Sequence, residues 1–96
     1  MILTGKAKED FMYSHNMSNF NEYSEVLQNA LIIKWFDSVG IYIEIILIHG
    51  DEKAFTFEFS YKDYFYYCDK EFSSREEATE RAIINVNKIY NIVFGE

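Results

Sequence analysis

Few side chains in this sequence have the chemistry for catalysis or metal binding, and their spacing does not assemble them. Cys68 is the only cysteine, and His15 and His49 are the only histidines. Protein zinc is held by Cys and His at short, recurring spacings; neither histidine has a cysteine beside it, so no metal site is expected. A Cys–His nucleophile needs the thiol within hydrogen-bond reach of the imidazole. Strand parity, developed below, instead turns Cys68 toward a buried sheet face, where it acts as a small apolar residue. Gly5, Gly40, Gly50 and Gly95 are too scattered to form a phosphate-cradling loop. Glu44 and Glu58 fall next to each other on paired strands, which in other settings makes an acid–base or metal-binding pair. No His, Asn or further acid completes such a site. Asp51-Glu52 reads as a turn, and Glu76-Glu77 as the first turn of a helix, where the dipole favours negative charge. The expectation is a non-enzymatic protein with no catalytic residue, no cofactor and no metal.

The elements that would position these residues follow from periodicity. Lys6 to Ser14 has Ala7, Phe11 and Ser14 on one stripe and reads as a short helix, marginal alone and dependent on docking. His15-Asn16-Met17-Ser18-Asn19 is a polar connector. From about Asn21 to Val39 a second helix carries Tyr23, Val26, Leu27, Ala30, Leu31, Ile33 and Trp35. Its stretch Ala30–Phe36 is apolar nearly all round and should be enclosed on more than one side. Gly40 supplies the left-handed residue that ends it. Ile41–Ile48, rich in β-branched residues, is a strand, and His49–Glu52 a turn. Ala54–Tyr61 alternates cleanly, Phe55, Phe57, Phe59 and Tyr61 to one side and Ala54, Thr56, Glu58 and Ser60 to the other. Lys62-Asp63 turns the chain into Tyr64–Cys68. A final helix follows Phe72, opened by a capping box at Ser73/Glu76 or Ser74/Glu77 and running to about Val93. Ala78, Ala82, Val86, Ile89 and Val93 form its stripe, flanked by Ile83 and Tyr90, with Asn87 and Asn91 outside it.

Opposed residues in an antiparallel pair share a face. A two-residue turn at Lys62-Asp63 sets Tyr61 opposite Tyr64, Phe59 opposite Tyr66 and Phe57 opposite Cys68. The first hairpin places Leu47 opposite Phe55 and Ile45 opposite Phe57, at the cost of the like-charge pair Glu44–Glu58; a shift by two residues would relieve it. The reading is one α+β domain over residues 1–96: two N-terminal helices, a three-stranded antiparallel meander, and a C-terminal helix packed on one sheet face. The helices cover the phenylalanine side. The other side then collects Tyr42, Glu44, Glu58, Phe65 and Tyr67, with Ile46 and Ile48 at one end.

Composition limits what that face can bind. Across 96 residues, 9 Lys plus Arg stand against 16 Asp plus Glu, a net charge of −7. This disfavours direct non-specific binding to nucleic acid or to anionic lipid. It also keeps a chain that is 19% aromatic dispersed in water. Exposed aromatics flanked by acids suit a basic protein partner. The same face could equally be covered by the first helix or pair with a second copy, so partner binding and a homodimer both stay open. No apolar stretch is long enough for a signal peptide or a membrane span, and a lone cysteine points to a reducing compartment. The expected location is cytoplasmic, with no membrane association.

At Trp35-Phe36-Asp37-Ser38-Val39-Gly40-Ile41-Tyr42-Ile43 the chain resembles small proteins encoded by phages and mobile elements of Bacteroidota-like bacteria. The resemblance extends from Lys6-Ala7-Lys8-Glu9-Asp10-Phe11 to Arg75-Glu76-Glu77-Ala78 and Ile89-Tyr90-Asn91, and identifies no active site. It implies an anti-CRISPR-like protein that evades host defence in the bacterial cytoplasm. Its partner would be an RNA-guided effector nuclease or the ribonucleoprotein it forms, whose guide channel is basic. The alternative it implies is a phage-encoded accessory or assembly protein that homodimerises through its open sheet face.

Overall fold

In the computed structural model, residues 1–14, 19–50 and 52–95 are described. Along the chain come α1 (Gly5–Ser14), a 3-10 turn (Phe20–Glu22), α2 (Glu25–Ser38), β1 (Ile41–Ile48), β2 (Ala54–Tyr61), β3 (Tyr64–Tyr67) and α3 (Arg75–Phe94). The strands form one antiparallel sheet in the order β1-β2-β3, the α+β meander expected from the pattern. Most of the connector expected at His15–Asn19 (residues 15–18) and the turn residue Asp51 lie outside the described residues.

Register follows the parity argument. Leu47 opposes Phe55, Ile45 opposes Phe57, and Glu44 opposes Glu58; Tyr61 opposes Tyr64 and Phe59 opposes Tyr66. The like-charge pair is kept within a ladder that pairs Ile41–Ile48 with Ala54–Tyr61 end to end; a shift by two residues would relieve it but leave two residues of each strand unpaired. Lys62 closes the second hairpin at φ 54°. Positive φ at the first central residue alone is the type II′ pattern, which ordinarily selects glycine.

Past Tyr67 the strand bulges. Cys68 N–H still donates to Phe57 O at 3.0 Å, but regular pairing resumes only where Phe55 and Phe72 exchange bonds of 2.9 and 2.7 Å. The intervening residues oppose Thr56 alone. Its hydroxyl donates to Cys68 O at 3.1 Å and Lys70 O at 2.8 Å, supplying carbonyls that the ladder has abandoned. Thr56, expected on the outward face, is only 1% exposed because the bulge folds over it.

α2 begins four residues later than the apolar spacing suggests. Ser24 is its N-cap, accepting from Leu27 N–H at 3.2 Å, while Tyr23 is extended (ψ 150°) and ends the 3-10 turn. Phe20 is thereby swung into the core, edge-on to Phe11 with ring centroids 5.4 Å apart. In the stretch expected to be enclosed, Ile32, Trp35 and Phe36 are buried and Leu31 and Ile33 half-buried, whereas Ala30 is exposed. Val26 and Leu27, also assigned to the apolar face, are exposed. Gly40 closes the helix at φ 84°.

α3 opens with Ser74 accepting from Glu77 N–H at 3.1 Å, while Ser73 Oγ donates to the Glu77 carboxylate at 3.1 Å. Its buried face is Ala78, Ala82, Ile83, Val86, Asn87 and Tyr90. Val93 is exposed and Phe94 turns inward onto Tyr90 and Tyr61 instead. The face rotates because α1 packs on the second half of α3 and encloses a side that includes Asn87 and Asn91.

Those asparagines bind the start of α1 and the residue before it. Asn91 Oδ1 accepts from Ala7 N–H at 2.8 Å, and its amide donates to Thr4 O at 3.0 Å. Asn87 Oδ1 accepts from Thr4 N–H at 3.0 Å, and its amide donates to Thr4 Oγ1 at 2.9 Å. The free donors at the start of a helix are normally met by its own cap; here the Thr4 hydroxyl is taken by Asn87, and the Ala7 N–H is met across the fold by Asn91. Gly5 makes room, at φ 61°, where a Cβ would stand 2.8 Å from Asn91 Nδ2. Midway along α1, Tyr90 O–H donates to Asp10 Oδ2 at 2.6 Å, and Lys6 pairs with Asp10 at 3.1 Å. The tyrosine bond, more than Lys6, holds the Asp10 carboxyl below its usual range, against a smaller opposing effect of burial. Burial, helped by the same bond, pushes the Tyr90 phenol well above its ordinary value.

α3 lies against β2 and β1, and α2 against β1. Phe57 and Phe59 are buried between sheet and helices, Tyr66 stacking on Phe59 at 5.0 Å and on Phe57 at 6.1 Å. The phenylalanine side is the covered side, leaving the opposite face of the sheet as the place to look for a site.

Candidate functional site: the open sheet face

Three strands contribute to this face, and register sorts the contributions into rows. Glu44, Glu58 and Tyr67 lie side by side across β1, β2 and β3; one row along, Tyr42, Ser60 and Phe65 do the same. Neighbouring strands are about 4.8 Å apart and successive same-face residues about 6.8 Å apart. All five residues picked out in the sequence, Tyr42, Glu44, Glu58, Phe65 and Tyr67, are thus brought into one patch. Tyr42 is 56% exposed, Phe65 62% and Tyr67 56%. Glu44 is exposed and Glu58 half-buried. Small Ser60 sits between Tyr42 and Phe65, so the two rings flank a shallow trough with the carboxylates one row beyond.

The electrostatics of the patch are one-sided. Like charges directly opposed on paired strands repel, and among the described residues no Lys or Arg forms an ion pair with Glu44 or Glu58; Lys6–Asp10 is elsewhere. A cation brought by another molecule would relieve that repulsion, and the exposed rings offer cation–π faces beside it. The arrangement is suited to recognition. As for chemistry, Cys68 is buried, its thiol 3.9 Å from Lys70 O, and His49 is exposed at the end of β1. His15 lies outside the described residues. Among the described residues, no group of three or more His, Cys, Asp or Glu could hold a metal ion, and no helix is long and apolar enough to cross a membrane.

A second exposed apolar strip escaped the sequence reading. Val26, Ala30 and Ile33 of α2 line a groove of about 240 Å³ with Arg75, Glu76 and Glu80 of α3. The signal for it was the lack of a polar side to α2, which reads equally well as deep burial.

Fold and site together define a small α+β domain with its helices on one side of a three-stranded meander and an acidic, aromatic surface on the other. Comparison with family models, with curated proteins and with solved structures finds no match to this chain.

Proposed function

We infer that this chain is a non-enzymatic inhibitor of a bacterial antiviral defence system, acting by stoichiometric binding to a basic protein partner through the open sheet face. The observation that carries the binding reading is the patch itself: an unneutralised Glu44–Glu58 pair beside the exposed rings of Tyr42, Phe65 and Tyr67. Aromatic anchors supply most of the energy of many interfaces, and surrounding charge selects the partner's sign. The identity of the partner rests on the resemblance at Trp35–Ile43 to phage-encoded, anti-CRISPR-like proteins. An RNA-guided nuclease holds its guide duplex in a positively charged channel, and an acidic plug in that channel blocks guide loading or target access. The alternative, an accessory or assembly protein whose copies pair face to face, is disfavoured by charge, since it sets one acidic face on another.

The test is co-expression with RNA-guided effectors of the host, scoring protection of phage DNA and co-purification. Glu44→Lys combined with Glu58→Lys should abolish both while leaving the fold intact, because these residues stand outside the core. Tyr42→Ala and Phe65→Ala should each weaken binding by about 2 kcal/mol, roughly 30-fold. Unchanged affinity in the charge-reversed variant would remove this surface from consideration. Protection against none of the host's effectors would remove the inhibitor reading.

A further inference from the structure

The outer edge of β1 carries backbone chemistry that the open-face reading does not use. Because Cys68 N–H bonds to Phe57 O, the odd-numbered residues of β2 turn their backbone groups toward β3 and the even-numbered ones toward β1. The register Glu44 to Glu58 and Ile46 to Thr56 then turns the even-numbered residues of β1 toward β2. Ile43, Ile45 and Leu47 direct their N–H and C=O groups away from the sheet, and among the described residues no other segment pairs with that edge. Proteins ordinarily guard such an edge with proline, lysine, a bulge or a very short strand. β1 runs for eight residues with none of these and a single charge, Glu44.

We propose that β1 pairs antiparallel with β1 of a second copy, joining two sheets into one of six strands about a two-fold axis at Ile45. The second copy is chosen over an unrelated strand because β1 complements itself. With Ile45 opposite Ile45, Ile43 falls opposite Leu47, and each pair meets with both sets of outward backbone groups. On the open face, Tyr42 falls opposite Ile48 and Glu44 opposite Ile46. This gives a use to Ile46 and Ile48, which the basic-partner reading leaves idle, and pairs an aromatic with a β-branched residue. Centring the axis on Glu44 would oppose two carboxylates; centring it on Ile43 or Leu47 would shorten the paired length within β1. The interface is isologous, as a two-fold requires. Strand pairing alone makes a small interface, so the dimer forms in a concentration-dependent way. The proposal does not depend on the identity of any partner of the open face.

Two measurements test it on the full chain. Sedimentation equilibrium should show a monomer–dimer equilibrium that tightens as salt rises from about 0.05 to about 0.5 M, because screening relieves repulsion between two chains of like net charge. A complex with a basic partner would weaken over the same range, so the two associations are told apart. Register is tested by mixing a Glu44→Cys chain with an Ile46→Cys chain, both in a Cys68→Ala background, under mild oxidation. These positions face each other across the proposed axis as a non-hydrogen-bonded pair, with Cα atoms about 4.5 Å apart, within disulfide reach. The cross-linked heterodimer should form in the mixture and be lost when either variant is oxidised alone. A monomer at every concentration and salt, or cross-linking as efficient in the separate variants as in the mixture, would overturn the proposal.

Discussion

Thr56→Val isolates one hydroxyl. Valine matches threonine in shape, and the residue is 1% exposed, so the change opens no cavity and exposes no new apolar surface. What disappears is the donor serving Cys68 O at 3.1 Å and Lys70 O at 2.8 Å. One hydroxyl hydrogen shared between two carbonyls is worth about 1 kcal/mol net, and a carbonyl left buried and unpaired adds to that, giving about 1–2 kcal/mol in all. For a domain of this size that lowers the melting temperature by about 5–15 °C. Trp35, the only tryptophan and buried in the core, reports unfolding by fluorescence in a urea titration. A second readout tests the mechanism: Cys68 sits at the mouth of the bulge, so its alkylation by a thiol reagent in the native state should accelerate in the variant. If the urea midpoint and the thiol rate both match wild type, Thr56 does not hold the bulge, and its burial has another cause.

Gly5→Ala should destabilise by about 2 kcal/mol, through the cost of positive φ for alanine and its collision with Asn91; thermal unfolding measures it. Lys62→Gly should stabilise by about 1 kcal/mol, because the residue stands at φ 54° and glycine adopts that conformation freely, read from the same melts. Asp10 is held below its ordinary value chiefly by the Tyr90 hydroxyl, so its contribution is complete above the unfolded-state value of 3.8 and is lost as pH falls through the lower folded-state value. Asp10→Asn should therefore flatten the fall of the urea midpoint below about pH 4, and an unaltered acid slope would count against this account.

The strands were legible almost to the residue because two independent signals agreed there. Alternation fixed which side chains share a face, and the two-residue turn at Lys62-Asp63 fixed the register of the second hairpin; in the first, the Glu44–Glu58 opposition left a shift by two residues open. The clustering of Tyr42, Glu44, Glu58, Phe65 and Tyr67 followed from parity alone. The start of α2 was harder: Tyr23 fits helical spacing, yet Ser24 caps and the preceding residues take a tighter turn. Thr56 is outward by parity, and only the two-residue excess between Cys68 and Phe72 buries it, a displacement that alternation cannot register. Asn87 and Asn91 look like solvent-facing polar residues on a helix. Nothing near them in sequence announces Thr4 and Ala7 as their partners, because those contacts span more than eighty positions.

The asparagine clamp also dictates when the first helix can exist. Thr4 and Asn91 are 87 positions apart, so during synthesis residues 4–7 leave the ribosome long before the side chains that bind them are made. A helix of ten residues with only Ala7 and Phe11 to bury does not persist unaided in water. The amino-terminal segment thus cannot take its native place until α3 has been made. Amide exchange in α1 should be the first to lose protection when the native state opens.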